Sequence, residues 1–149
     1  MIYSPDEKRK IILDNYSHPS QQIELEELKK KSEEWQVPLA TFHSLDQGCG
    51  DVIHLLIIQK DNSIEKCFFS AQQSCLITVA FANILCSYLE GKNLKLVRQL
   101  INDCQMMVEK KKYNLNDYPK LEVFSDISNF PNRIECVNLV IRGINNFIN

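Results

Sequence analysis

Residues 76–89 read LITVAFANILCSYL, a stretch that is apolar almost all round when wound at helical spacing. A helix of this kind has no solvated face, so the rest of the chain must wrap it. It is therefore expected to be the central buried helix of a globular domain. It falls short of the roughly 20 residues a membrane-spanning helix needs. Thr78, Asn83 and Ser87 also interrupt it, so no membrane role is expected. A chain of 149 residues is long enough to close one core around such a helix, and a single domain over residues 1–149 follows.

The flanks supply the wrapping. Residues 6–16 predict a short amphipathic helix with Ile12, Leu13 and Tyr16 inward, broken by SHPSQQ at 17–22. Residues 23–35, IELEELKKKSEEW, are dense in charge and read as a solvated helical face. From 39 to 71 the pattern changes to strands: LATFHSL (39–45), then the β-branched run DVIHLLIIQ (51–59), the turn KDNS (60–63) and SIEKCFFSA (63–71). The last two form an antiparallel hairpin. After the buried helix, residues 93–110 set Leu94, Val97, Leu100, Ile101, Cys104 and Val108 on one stripe. A polar, tyrosine-bearing linker (111–119) and a short helix within KLEVFSDISNF follow. Pro131 then opens a last helix over 131–147, where its missing N–H costs nothing. The fold class is α+β: a small antiparallel sheet packed by helices.

Charge narrows the partners. A formal net charge of −2 gives no electrostatic footprint for nucleic acid or an anionic membrane. The opening MIYSPDEKRK is too charged for a secretory signal, so a cytoplasmic setting and reduced thiols are expected for the six cysteines. Cys67, Cys86 and Cys104 lie in apolar strand or helix positions, where cysteine packs as a small hydrophobe.

The other three cysteines have different neighbours. Cys49 is bracketed by Gly48 and Gly50, two of only four glycines in the chain. Cys75 follows Ser74, a good N-cap, and so falls in the first helical turn, where the dipole favours thiolate. Cys136 lies three residues after Arg133, on the same helical face, so the guanidinium supports a thiolate too. Asp51 points the same way as Cys49 in extended chain. Three thiols and a carboxylate suit tetrahedral Zn²⁺, and thiolates also suit iron–sulfur clusters. With no C-x-x-C in the chain, spacing alone favours three separate reduced cysteines over a metal site. A cysteine hydrolase needs a histidine base. His54 falls on the strand face opposite Asp51, His18 in a turn, and His43, in the strand before Cys49, is at most a spare ligand candidate.

The order CGDVIHLLI, then IEKCFFSAQQSCLITVAFANILCSYLEGK, then FPNRIECVNLVIRGI resembles the iron–sulfur scaffold family of IscU, SufU and the NifU amino-terminal domain. The likeness runs from about Ile11 to the C-terminus and includes IILDNYSHP. It implies a three-stranded antiparallel sheet with helices on one side, and Cys49, Asp51, Cys75 and Cys136 gathered at one exposed end to bind Zn²⁺ or a [2Fe–2S] cluster. It also implies a cysteine desulfurase as sulfur donor and apo iron–sulfur proteins as recipients. Cys49, on its glycine hinges, is the expected sulfur acceptor, Arg133 its charge support, and Asp51 the easiest ligand to displace. The long segment between Cys75 and Cys136 and the absence of a Leu-Pro-Pro-Val-Lys motif resemble the SufU-type branch. The chain is then a non-enzymatic scaffold or a zinc-dependent sulfurtransferase; a structural zinc domain that only docks partners is the alternative. Departures from the family are Ser74 for a glycine, DQG (46–48) for Asn-Pro, a longer stretch at 20–38, and Glu135, an acid that would make the pocket less welcoming to anions.

Overall fold

A computed structural model describes residues 2–45 and 50–148. Cys49 and the rest of DQGC lie outside the described residues. The elements run α1 (Pro5–Ser17), α2 (Leu25–Trp35), β1 (Ala40–His43), β2 (Val52–Lys60), β3 (Ser63–Ser70), α3 (Leu76–Leu89), α4 (Leu94–Val108) and α5 (Pro131–Ile148), with 3₁₀ turns at Pro119–Phe124 and Ile127–Asn129 before α5. The three strands form an antiparallel sheet in the order β1-β2-β3. Asp61 and Asn62, both at positive φ, make the two-residue turn between β2 and β3, as a tight hairpin requires.

The apolar run at 76–89 is the buried centre. Val79, Phe81, Leu85, Cys86 and Leu89 of α3 are all enclosed; the helix lies against α1, α5 and β3, and one core joins it to Ile53, Leu55 and Ile57 of β2 and to the buried residues of α4. Cys67, Cys86 and Cys104 are core residues as expected. Burial pushes the Cys104 thiol up, and the Cys67 thiol is raised by its contact with Cys86 and by burial. Gly143 lets α5 lie close on the sheet: a Cβ there would stand 2.5 Å from Leu55 Cδ1. The 111–119 linker is tied down by Leu115, which is buried, and by the Tyr113 hydroxyl donating to Glu122 at 3.0 Å.

Three expectations are corrected. In α1 the inward positions are Lys8, Ile11, Ile12 and Asn15, a spacing of three, four and seven. Lys8 reaches Ser125, Asn15 meets Asn83 on α3, and Ile11 and Ile12 pack on the core. Leu13 and Tyr16 fall on the flank and are 44% exposed. Next, the charged segment 23–35 is not merely a solvated face. Leu28 of α2 is fully buried, and Trp35 stacks on Phe68 of β3 at 6.4 Å. Phe68 pairs with Leu56 across the sheet, and alternation turns both away from the α3 side. The sheet therefore carries a helix on its second face as well, rather than helices on one side only. The cause is apolar: Leu56 and Phe68 need cover, and the longer stretch at 20–38 brings it. Just before α2, residues 21–23 run beside β3, with Phe69 donating to Gln21 and Ile23 donating to Phe69, each at 3.0 Å.

The third correction concerns the entry to α3. Cys75 is itself the N-cap, at φ −70° and ψ 158°, one residue ahead of the first turn. Ser74 does not cap; its hydroxyl donates to the Val52 carbonyl at 3.0 Å.

Candidate metal centre

β2 and α3 meet at their starting ends. Ser44 donates to the Asp51 carbonyl at 2.9 Å, extending the β1–β2 ladder and fixing Asp51 at the mouth of β2. Asp51 is 5% exposed and shares the inward face of Ile53. Both carboxylate oxygens face the start of α3: the Cys75 N–H donates to Oδ1 at 3.0 Å, and the Thr78 hydroxyl donates to Oδ2 at 2.5 Å. A carboxylate at this end of a helix also complements its dipole.

α5 brings in Cys136, with its Sγ 3.0 Å from Cys75 Sγ. At that separation a thiol on one can donate to the sulfur of the other. The Cys75 thiol is held down at about 6, first by its hydrogen bond to Cys136 and then by the Thr78 backbone N–H, against the opposing effects of burial and Asp51. Cys136 is buried and Cys75 half-buried, so Cys75 is the more open to solvent of the two. Among the described residues, Asp51, Cys75 and Cys136 offer one ligand atom each, all within 4.8 Å of one another. Two thiols and a carboxylate at this spacing fit a tetrahedral zinc or iron–sulfur donor set lacking one member. Cys49, the expected fourth, lies outside the described residues.

Arg133 sits one turn before Cys136 on α5. His54 is on the far strand face, its Nδ1 2.7 Å from the Thr41 hydroxyl, and neither it nor His43 joins the cluster. With no imidazole beside a described thiol of the cluster, the hydrolase reading has no geometry behind it there.

Two features were missed from the sequence. Thr78 looks like a flaw in an apolar helix, yet its position three residues after Cys75 puts its hydroxyl between two ligand candidates. Glu135 is not a bare acid beside Cys136. Arg142, two turns along α5, clasps it through both guanidinium nitrogens at 2.8 Å, and the Leu45 N–H donates to it at 2.6 Å. Arg142 also reaches the His43 carbonyl at 3.3 Å. The Arg142 hydrogen bonds, then the Leu45 N–H, hold the Glu135 carboxyl below its ordinary range despite burial. The expected unwelcoming charge is thus neutralised, and Glu135 instead ties the end of β1 to α5. The seven-residue spacing of Glu135 and Arg142 was the available signal.

The fold and the cluster together define an α+β domain that gathers two thiols and a carboxylate at one end of its sheet. The chain belongs to the NifU-like N-terminal domain family, whose profile matches residues 7–137. It is 25% identical over 89 residues to the iron–sulfur cluster assembly scaffold protein IscU of Thermotoga maritima, covering 60% of this chain and 62% of that protein. It is 27% identical over 92 residues to the zinc-dependent sulfurtransferase SufU of Bacillus subtilis, covering 61% and 62%. A crystal structure of a SUF-system scaffold protein from Fervidobacterium islandicum superposes with a TM-score of 0.77 at 20% identity, over 100% of this chain and 98% of that one. Among the described residues no helix is long and apolar enough to cross a membrane.

Proposed function

We propose that this protein works in iron–sulfur cluster assembly, as a zinc-containing sulfur acceptor or scaffold fed by a cysteine desulfurase and emptied by apo iron–sulfur proteins. The supporting observation is the meeting of Asp51, Cys75 and Cys136 from three elements within 4.8 Å. Zn²⁺ held by these groups and Cys49 would keep the thiolates deprotonated at neutral pH.

The chain's own residues supply the rest. Cys75 and Cys136 are anchored on helices, so they hold their positions. Cys49, between two glycines, is the acceptor: its thiolate attacks the outer sulfur of the desulfurase persulfide. The new Sγ–S bond forms as the S–S bond to the desulfurase cysteine breaks, and that cysteine leaves as thiolate. Arg133 offsets the accumulated negative charge. A cytoplasmic setting goes with this role.

The test is metal analysis of protein purified without added metal, followed by labelled sulfur transfer from a desulfurase to the intact chain and to Cys49→Ser. About one bound zinc per chain, with labelling lost in Cys49→Ser, is the expected result. Undiminished labelling of Cys49→Ser overturns the acceptor role. Zinc retained with no labelling of either chain favours a purely structural zinc domain.

A further inference from the structure

We propose that Thr78 is the positioning residue of the metal centre, its hydroxyl holding the Asp51 carboxylate in ligating orientation beside Cys75. The inference rests on the reading of Asp51, Cys75 and Cys136 as ligands. Thr78 is fully buried, on the turn of α3 that follows Cys75. Its oxygen lies 2.5 Å from Asp51 Oδ2 and 3.5 Å from Cys75 Sγ.

A hydroxyl has one proton and two acceptor lone pairs. The shorter contact takes the proton, since Asp51 has nothing to donate as a carboxylate. Toward Cys75 the Thr78 oxygen is then the acceptor, receiving the thiol proton while one is present. The Cys75 N–H fills a site on Oδ1 at 3.0 Å. Both oxygens of Asp51 are thereby fixed by one turn of α3, which removes rotation of the carboxylate about its own axis. An ionised carboxylate has about four acceptor sites, so two stay open, and the fixed orientation determines where they point. All three ligand atoms remain within 4.8 Å with these bonds in place, so binding does not require Asp51 to leave Thr78.

A threonine inside a helix more often bonds back to a carbonyl four residues earlier or faces solvent. Here it does neither: its hydroxyl turns to a group from another element. Partners of this kind typically alter metal affinity by about 10- to 100-fold when removed.

The experiment titrates the metal-free full chain with Zn²⁺ against a chromophoric chelator, and with Co²⁺ for its ligand-field absorption. The proteins are the unaltered chain, Thr78→Val, Thr78→Ser and Cys136→Ala. Circular dichroism and metal-free melting run alongside. Thr78→Val is expected to bind Zn²⁺ at least about 10-fold more weakly and to shift the Co²⁺ bands, while Thr78→Ser, which keeps the hydroxyl, stays close to the unaltered chain. If Thr78→Val does not fold, Thr78→Ala takes its place in the comparison with Thr78→Ser. Cys136→Ala weakened with Thr78→Val unchanged in affinity and spectrum overturns the role of Thr78 alone, even if its melting point falls. Equal weakening in Thr78→Ser also overturns it. Full affinity in Cys136→Ala overturns the centre itself, and the role of Thr78 with it.

Discussion

Replacing Glu135 by alanine removes the two hydrogen bonds from Arg142 and the one from Leu45 in a single step. The Glu135 side chain is 10% exposed and that of Arg142 is 37% exposed. The loss therefore falls between the two limits for ion pairs. A fully buried pair broken on one side costs about 3–5 kcal/mol, and an exposed pair about 0–1 kcal/mol. Arg142 can turn to water once released, and so can the Leu45 N–H, because Leu45 is 61% exposed. A cost of about 2 kcal/mol follows, or roughly 4–8 °C in Tm for a domain of this size. The assay is thermal and urea unfolding of Glu135→Ala, Arg142→Ala and the double variant, with chelator and reductant present. The cycle should give a coupling of about 1–2 kcal/mol. The sign of the pH dependence is fixed as well. The folded Glu135 carboxyl titrates below its unfolded value, so its contribution is complete above about pH 4.3 and disappears as pH falls through the lower, folded value. The gap between the unaltered chain and Glu135→Ala should be flat from neutrality down to that point and then narrow. A coupling under about 0.5 kcal/mol, or a gap that widens with acid, would refute the reasoning.

Other outcomes follow from the same geometry. In metal-free protein, iodoacetamide should label Cys75 with a rate rising through pH about 6, while Cys86 and Cys104 stay silent until unfolding. In Cys136→Ala that rise should move toward the ordinary thiol range, and no movement would show that Cys136 does not set it. Leu28→Ala should cost about 2–4 kcal/mol by leaving a cavity under α2. Trp35, the only tryptophan, reports on that helix, and a loss under about 1 kcal/mol in fluorescence-monitored urea unfolding would mean α2 is not docked as described. Gly50 stands at φ +77° with nothing within 4 Å of a built Cβ, so Gly50→Ala should cost about 1 kcal/mol through backbone conformation alone, read as a small fall in Tm. Unchanged stability would mean the backbone there adapts freely.

Much of this was legible in the residues, and the gaps have physical causes. The apolar run at 76–89 announces a buried helix because no other placement satisfies it. The β-branched stretch after Asp51 and the Asp61-Asn62 turn define the hairpin just as firmly. Asp51, Cys75 and Cys136 could be nominated because dipole and charge single out thiols locally, but spacing could not bring them together. That depends on the approach of α5 to the start of α3. By residue type Ser74 is the better cap, but the Val52 carbonyl takes its hydroxyl. The charged segment 23–35 misled because one leucine and one tryptophan suffice to dock a short helix, and charge density hides so narrow a stripe. Glu135 misled because its partner is two turns away and its third hydrogen bond comes from another element.

The strip at residues 21–23 beside β3 limits how this molecule can meet others. An open strand edge is a template on which a foreign peptide, or an identical chain, can add itself by main-chain pairing. Here the bonding groups of Phe69 on the β3 side are already taken by Gln21 and Ile23. The opposite edge is β1, only four residues long and introduced by Pro38. Strand addition is thereby discouraged on both sides, which leaves side chains and loops as the surfaces open to contact. The chain is correspondingly poor seed material for edge-to-edge aggregation.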